Sequence, residues 1–164
     1  MKTLIIGLGN PILGDDGVGW VVAEQVREAL AARPSSDGGE IAEVDFVSLG
    51  GLSLMERLTD TERAILIDSI YTGQKPIGTV WQFDLEALPD LNAGHSASAH
   101  DTSLKNALKV GREMDVFLPE DRNVIIVAIE AKSVYDFSQE LSPAVSGAVP
   151  QAVQMVLDLL DSKN

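Results

Sequence analysis

The chain of 164 residues contains no cysteine. Disulfide bonds, zinc sites built from thiolates and cysteine nucleophiles are therefore excluded from its chemistry. Positive charge is also scarce, because 12 lysines and arginines stand against 25 aspartates and glutamates, which gives a formal net charge of −13. A surface of this sign repels the phosphate backbone of nucleic acids, so we expect no nucleic-acid partner.

Long hydrophobic runs are absent as well. No 18 consecutive residues are apolar, and the few apolar residues before Gly7 are too short for the hydrophobic segment of a signal peptide. We therefore expect a soluble, cytoplasmic protein without a membrane partner. The chain does contain 45% hydrophobic residues, which is sufficient for the core of one domain. We predict a single domain over residues 1–164.

Apolar residues recur with the periods of strands and helices in alternation. Strands are predicted over 4–6, 40–48, 64–67 and 123–129, and helices over 18–32, over 52–58, after His100 and from Pro143 onward. No helix precedes the apolar alternation over 77–83, which we predict to be an antiparallel strand at an edge. This order indicates the α/β class, with a three-layer α/β/α fold around a doubly wound, mostly parallel sheet of about five strands.

The most informative stretch is Gly7-x-Gly9-Asn10, followed by Asp15-Asp16-Gly17-x-Gly19. It does not fit the dinucleotide pattern, because Ile12 replaces the third glycine, and it does not fit the phosphate-binding loop, because no lysine follows Gly14. The adjacent acids have two interpretations. Either one of them caps the next helix, as aspartate often does, or they face the mouth of the sheet, where wound sheets bind ligands.

Topology brings a second acid toward the first. If the strand order is 2-1-3, Asp16 after the first strand and Asp68 at the end of the third converge on the crevice at the switch point. His100 lies at the start of a predicted helix, where the helix dipole favours the neutral, metal-binding imidazole. We assign no role to His95. Glu130 also ends a predicted strand, and it either lines the crevice or is solvated.

The stretch from Gly7 to Gly19 resembles the opening of the hydrogenase maturation endopeptidases, which remove a C-terminal extension from the large subunit of nickel-iron hydrogenases. Ser98-Ala99-His100 resembles a second segment of that family, and Leu141-Ser142-Pro143 resembles the start of its last helix. The resemblance implies three metal-contacting positions, an acid, an acid and a histidine, which Asp16, Asp68 and His100 match. We therefore predict these three residues as both metal ligands and catalytic residues. One departure is Leu49, where many members place an aspartate.

The resemblance also implies an activity and a partner. The partner is the nickel-iron hydrogenase large-subunit precursor, and the metal is the nickel already inserted in that precursor, with no organic cofactor. Two carboxylates and one imidazole suit nickel or zinc, and the helical H-E-x-x-H pattern of zinc proteases is not present. We expect a monomer that uses water as the nucleophile. Polarisation of the carbonyl by the metal and general-base catalysis by a carboxylate are both open.

Two other functions fit parts of the sequence. A non-catalytic nickel-handling metallochaperone would use the same three ligands without turnover. Peptidyl-tRNA hydrolase opens with a run similar to Gly7 to Pro11, but here Ile12 and acids follow, no histidine precedes His95, and the charge of −13 disfavours tRNA. Near the other end of the chain, Tyr135 and Phe137 either contact a substrate or pack on the body of the protein.

Overall fold

The structure is a computed structural model, and it describes residues 2–34, 41–48, 50–88, 99–132 and 137–162. The strands are β1 (Lys2–Leu8), β2 (Ile41–Val47), β3 (Arg63–Ile70), β4 (Val80–Asp84) and β5 (Val124–Glu130). The helices are α1 (Val18–Ala31), α2 (Leu52–Arg57), α3 (Ala99–Glu113) and α4 (Pro143–Asp161). Short 3₁₀ turns occupy Gly14–Gly17, Leu85–Ala87 and Asp121–Asn123.

The five strands form one sheet in the order β2-β1-β3-β5-β4. The pairs β1–β2, β1–β3 and β3–β5 are parallel, whereas β4 runs antiparallel to β5 at the edge. This arrangement confirms the predicted α/β class and the antiparallel edge strand, and it fulfils the 2-1-3 order on which the convergence of Asp16 and the end of β3 was conditional. β1 and β3 are direct neighbours, with Gly7 opposite Ile67 near their carboxyl ends.

Alternating apolar residues divide the core into two layers, one on each face of the sheet. One layer joins α1 and α4 to the odd-numbered residues of β1, β3 and β5, among them Ile5, Ile65 and Ile67. The other joins α2 and α3 to the even-numbered residues of these strands, among them Ile6 and Leu66. Helices on both faces of a parallel sheet explain why β3 is buried at nearly every position.

The amino-terminal ends of α4 and α1 begin in different ways. Ser142 occupies the N-cap position of α4 and Pro143 its first turn, as predicted. At α1 the N-cap is Gly17, and within the described residues no side chain caps this helix. The interpretation in which Asp15 or Asp16 caps α1 is therefore wrong. None of the described helices combines the length and the apolar character that crossing a membrane requires.

The sequence placed the end of β3 too early. β3 was expected to end at Asp68, whereas it continues to Ile70. The reason lies in its two neighbours: pairing with β1 stops at Ile67, but pairing with β5 continues until Ile70 lies opposite Glu130. Asp68 is therefore still paired with β5, but it lies beyond the last residue of β3 that pairs with β1.

Candidate functional site

The loop after β1 is shaped by glycine. Gly9 has a φ of 121°, which L side chains rarely adopt, and a Cβ atom at this position would overlap the carbonyl oxygen of Asp16. The loop then enters the 3₁₀ turn Gly14–Gly17, which contains both adjacent acids. Glycine at position 9 thus allows the loop to fold back closely on Asp16.

Helix α1 begins directly above the sheet. A Cβ atom at Gly19 would overlap the carbonyl oxygens of Leu8 and Ile67, which belong to the ends of β1 and β3. The amino terminus of α1, with its positive end of the helix dipole, is therefore in contact with the point where these strands separate. Negative groups at this point are electrostatically favoured.

Asp16 lies at that point. Its Oδ2 atom accepts a hydrogen bond of 2.8 Å from the backbone N–H of Asn10, which fixes the carboxylate within the opening loop. Its Oδ1 atom lies 3.5 Å from the hydroxyl oxygen of Ser69, the residue after Asp68. The structure thus brings Asp16 to the carboxyl end of β3, although 53 positions separate it from Ser69.

Asp68 is almost completely buried, with 2% of its surface exposed. It is an even-numbered residue of β3, and the alternation of the strand directs it to the same face as Leu66. That face is covered by α2 and α3, whereas Ser69 is directed to the face of α1. Asp16 and Asp68 therefore approach the end of β3 from its two sides.

His100 lies in the first turn of α3, because this helix begins at Ala99. Its backbone position confirms that the residue opens a helix, and α3 packs on the face to which Asp68 belongs. The side chain of His100 is outside the described part. Among the side chains that are described, no three Asp, Glu or His residues form a group that could hold a metal ion. The predicted three-residue ligand set stays a prediction.

Asp15 has a different environment from its neighbour. It is 5% exposed, and its carboxylate faces the start of α4. Oδ1 accepts a 2.7 Å hydrogen bond from the backbone N–H of Ser142, and Oδ2 accepts a 2.8 Å hydrogen bond from the Ser142 hydroxyl. A carboxylate at a helix N-terminus is also favoured by the dipole. Asp15 therefore fastens the opening loop to α4.

Glu130 has a structural role that the sequence did not reveal. Of the two alternatives left open for it, solvation is wrong, because the residue is completely buried. Its Oε1 atom accepts three hydrogen bonds, from the hydroxyl and the N–H of Thr72 and from the N–H of Gly73, at 2.6 to 3.0 Å. Oε2 is buried and has no hydrogen-bond partner within the described residues. Glu130 anchors the segment that leaves β3 just after Asp68.

No local signal could have identified these contacts. A glutamate at the end of an apolar strand is compatible with exposure or burial, and the partners of Asp15, Asp16 and Glu130 come from distant parts of the chain. Four residues noted in the sequence, Leu49, His95, Ser98 and Tyr135, lie outside the described residues.

The arrangement has a definite chemical capacity. A carboxylate of intermediate burial at the switch point and a buried acid on the adjoining strand supply oxygen donors. Carboxylate oxygens can bind divalent cations and can accept protons from water.

Comparisons with known proteins agree with this architecture. The chain is 24% identical over 164 residues to the hydrogenase expression/formation protein HupD of Rhizobium leguminosarum bv. viciae, covering 98% of this chain and 75% of that protein. Its fold is similar to the hydrogenase maturating endopeptidase HybD from Escherichia coli, with a TM-score of 0.74, 23% identity and coverage of 98% and 93% of the two chains. The [NiFe] hydrogenase maturation protease HybD from Thermococcus kodakarensis is similar at a TM-score of 0.71, with 25% identity and coverage of 98% and 99%.

The family described as hydrogenase maturation protease has a sequence model that matches residues 20–159. The matched part includes Asp68 and the start of α3, and Asp16 precedes it by four residues. This match extends over most of the chain, and the similar structures share its fold. The chain therefore belongs to the hydrogenase maturation protease family.

Proposed function

We propose that this protease is an endopeptidase that removes the C-terminal extension of a nickel-iron hydrogenase large-subunit precursor after nickel has been inserted. The observation that supports the proposal most directly is the position of the Asp16 carboxylate at the switch point, 3.5 Å from the hydroxyl of the residue after Asp68. Ligands of doubly wound sheets bind at this point. The names of the similar proteins agree with hydrogenase maturation as the process.

In the proposed reaction, Asp16, Asp68 and His100 contact the nickel that the precursor carries. Two carboxylates and a neutral imidazole are suitable ligands for this ion, and they leave positions open for the precursor's own ligands. Contact with the nickel would then place the scissile peptide bond beside the two carboxylates. Nickel here is part of the substrate, and its presence is what distinguishes a finished precursor from an unfinished one.

Hydrolysis requires a water molecule to attack the scissile carbonyl carbon. One water proton passes to a base, the bond between the carbonyl carbon and the amide nitrogen breaks, and the leaving amine takes up a proton. Asp16 and Asp68 are the candidate bases, because both are carboxylates at the switch point. The products are the mature large subunit with a new C-terminal carboxylate and the released extension.

The test uses the purified protein and the unprocessed large subunit from the same organism, with and without nickel loading. Intact mass spectrometry would show loss of a C-terminal segment from the nickel-loaded precursor and no change in the nickel-free precursor. Cleavage of both forms would contradict nickel-dependent recognition. If a confirmed nickel-loaded precursor stays intact but binds the protein, the result would favour the non-catalytic nickel-handling function.

Substitutions test the three residues separately from the overall activity. We expect Asp16→Asn, Asp68→Asn and His100→Ala to lower the cleavage rate by at least about 100-fold, as loss of a proton-transfer group or metal contact commonly does. His95→Ala is the matched control, because it removes the other histidine of the chain, to which we assign no role. Cleavage at the normal rate by Asp16→Asn or His100→Ala would overturn the assignment.

A further inference from the structure

A short segment before α4 lies against the opening loop and is held there by the backbone. The N–H of Gly14 donates a 2.7 Å hydrogen bond to the carbonyl oxygen of Ser138, and the N–H of Ser138 donates a 2.9 Å hydrogen bond to the carbonyl oxygen of Ile12. These bonds form an isolated parallel bridge between Leu13 and Ser138. The segment that begins at Phe137 is therefore an extension of the candidate site.

Side chains strengthen the same attachment. Asp15, which is buried, accepts the two hydrogen bonds from Ser142 at the other end of the segment. Asn10 also contributes, since its Oδ1 atom accepts a 3.2 Å hydrogen bond from the N–H of Ile12 while its own N–H donates to Asp16. One hydrogen-bond network thus connects the position of Ile12 to the carboxylate of Asp16.

This fixed segment displays apolar side chains to solvent. Phe137 is 82% exposed and Ile12 is 44% exposed, and they are the residues immediately before the bridged pair, one on each segment. We call these two residues the apolar ledge. Phe137 directly precedes Ser138, whose backbone is hydrogen-bonded to the opening loop on both sides of Leu13, so this attachment holds Phe137 beside Ile12. Exposed apolar groups that are fixed beside a site are typical of protein-binding surfaces.

The surroundings of the apolar ledge indicate the character of the partner. Tyr71, which directly follows β3, is also exposed at this carboxyl edge of the sheet. The chain as a whole carries a net charge of −13, and Glu140 on the same segment is exposed. A partner that fits this surface has an apolar side chain at the centre of its contact and lysine or arginine residues around it.

We propose that the apolar ledge is the docking point of the large-subunit precursor, and that an apolar side chain of the precursor packs between Ile12 and Phe137. This inference rests on the proposed function and adds the residues that recognise the protein substrate apart from its nickel. Because the hydrogen-bond network joins Ile12 to Asp16, the apolar ledge holds a fixed position relative to the proposed catalytic carboxylate, and a precursor seated on it is held beside that carboxylate.

The test compares two exposed phenylalanines at opposite edges of the sheet. Phe117 is 58% exposed, and its carbonyl oxygen accepts a hydrogen bond from Asp60, just before the amino end of β3. We expect Phe137→Ser to raise the KM for nickel-loaded precursor about tenfold while kcat stays within about twofold. Phe117→Ser should leave both constants unchanged, and Phe137→Leu, which keeps an apolar side chain, should restore most of the affinity.

A second measurement separates docking from cleavage. The Kd of the precursor is measured by biolayer interferometry on the Asp16→Asn protein, with and without Phe137→Ser or Ile12→Ser. We expect each added substitution to raise the Kd about tenfold, with unchanged thermal unfolding because both side chains are exposed. An unchanged KM and Kd, or an equal effect of Phe117→Ser, would overturn the apolar ledge and leave the proposed function intact.

The reverse outcome is also informative. If wild-type protein does not cleave the precursor but binds it with an affinity that depends on Phe137, the proposed protease function falls and the docking surface stands. If wild-type protein neither cleaves nor binds a confirmed nickel-loaded precursor, both proposals are overturned.

Discussion

Asp15 and Asp16 are adjacent acids with separate tasks. Asp15 is buried and satisfies two donors of Ser142 at the start of α4, whereas Asp16 is less buried and reaches the end of β3 beside Ser69. Consecutive residues in a 3₁₀ turn point in different directions, so one can fix the loop while the next is presented to a ligand. The pairing of acids in the sequence therefore reflects one structural residue and one candidate functional residue.

Glu130 is the residue whose removal should damage the fold most directly. We expect Glu130→Ala to lower the free energy of unfolding by about 2–3 kcal/mol, because it leaves donors of Thr72 and Gly73 without their acceptor. Urea unfolding followed by circular dichroism measures this loss. Glu120→Ala is the control: Glu120 is 62% exposed and pairs with exposed Arg122, so its loss should cost less than about 1 kcal/mol. Equal losses in both variants would contradict the anchoring role.

At the scale of elements, the distance between α1 and the sheet is set by small residues. Gly19 contacts the backbone of both β1 and β3, and Gly7 lies opposite it, where a Cβ atom would be 2.5 Å from the carbonyl oxygen of Gly19. These contacts allow the amino terminus of α1 to sit on the switch point. Gly147 in α4 differs, because a Cβ atom there would have no atom within 4 Å.

Two glycine-to-alanine substitutions in helices should therefore have opposite effects. Gly147→Ala should raise the free energy of unfolding by about 0.5–1 kcal/mol, since alanine loses less backbone entropy and meets no neighbour. Gly19→Ala should lower it by at least about 2 kcal/mol, because its methyl group would overlap two carbonyl oxygens. Urea unfolding midpoints provide the comparison. A stabilised Gly19→Ala protein would show that α1 is not held as closely to the sheet as the structure indicates.

At the scale of the whole molecule, the sheet positions the candidate site and the net charge affects association between copies. The sheet places the ends of β1 and β3 side by side at one edge, and both layers of helices bury its faces. The protein carries 25 acidic and 12 basic residues in a mass of 17.5 kDa, so two copies repel each other at neutral pH. We expect repulsion of this kind to oppose self-association through the exposed apolar ledge.

We therefore expect a monomer at neutral pH and association in acid. Size-exclusion chromatography with light scattering at pH 7.5 and low salt should give a mass of about 17.5 kDa. As the pH falls toward the pI of about 4.3, carboxylates take up protons, the net charge approaches zero, and the scattered mass should rise. A dimer mass at pH 7.5 would contradict the predicted monomer, and Phe137→Ser would then show whether the apolar ledge forms the dimer contact.

The sequence by itself determined the α/β class, the edge position of β4 and the start of α4 at Pro143, whereas the 2-1-3 strand order was only a condition until the sheet was seen. These features depend on apolar periodicity and on turn residues that lie close together in the chain. Such local signals can be recognised from the sequence without knowledge of the fold. The same signals indicated that Asp16 and the end of β3 converge, because that follows from the topology of a parallel sheet.

Only the tertiary structure decided which partner each polar group takes. Asp15 binds Ser142 across 127 positions, and Glu130 binds Thr72 across 58, and neither contact leaves a periodic trace in the sequence. The end of β3 was likewise set by its neighbour β5, which continues the ladder beyond Asp68 to Ile70. The exposure of Phe137 was undecided in the sequence, since an aromatic residue in a loop can either pack on the protein or project into solvent; the structure shows it exposed, next to the bridge between Leu13 and Ser138. Long-range hydrogen bonds fix these features because buried polar groups must be paired wherever the fold happens to bring their partners.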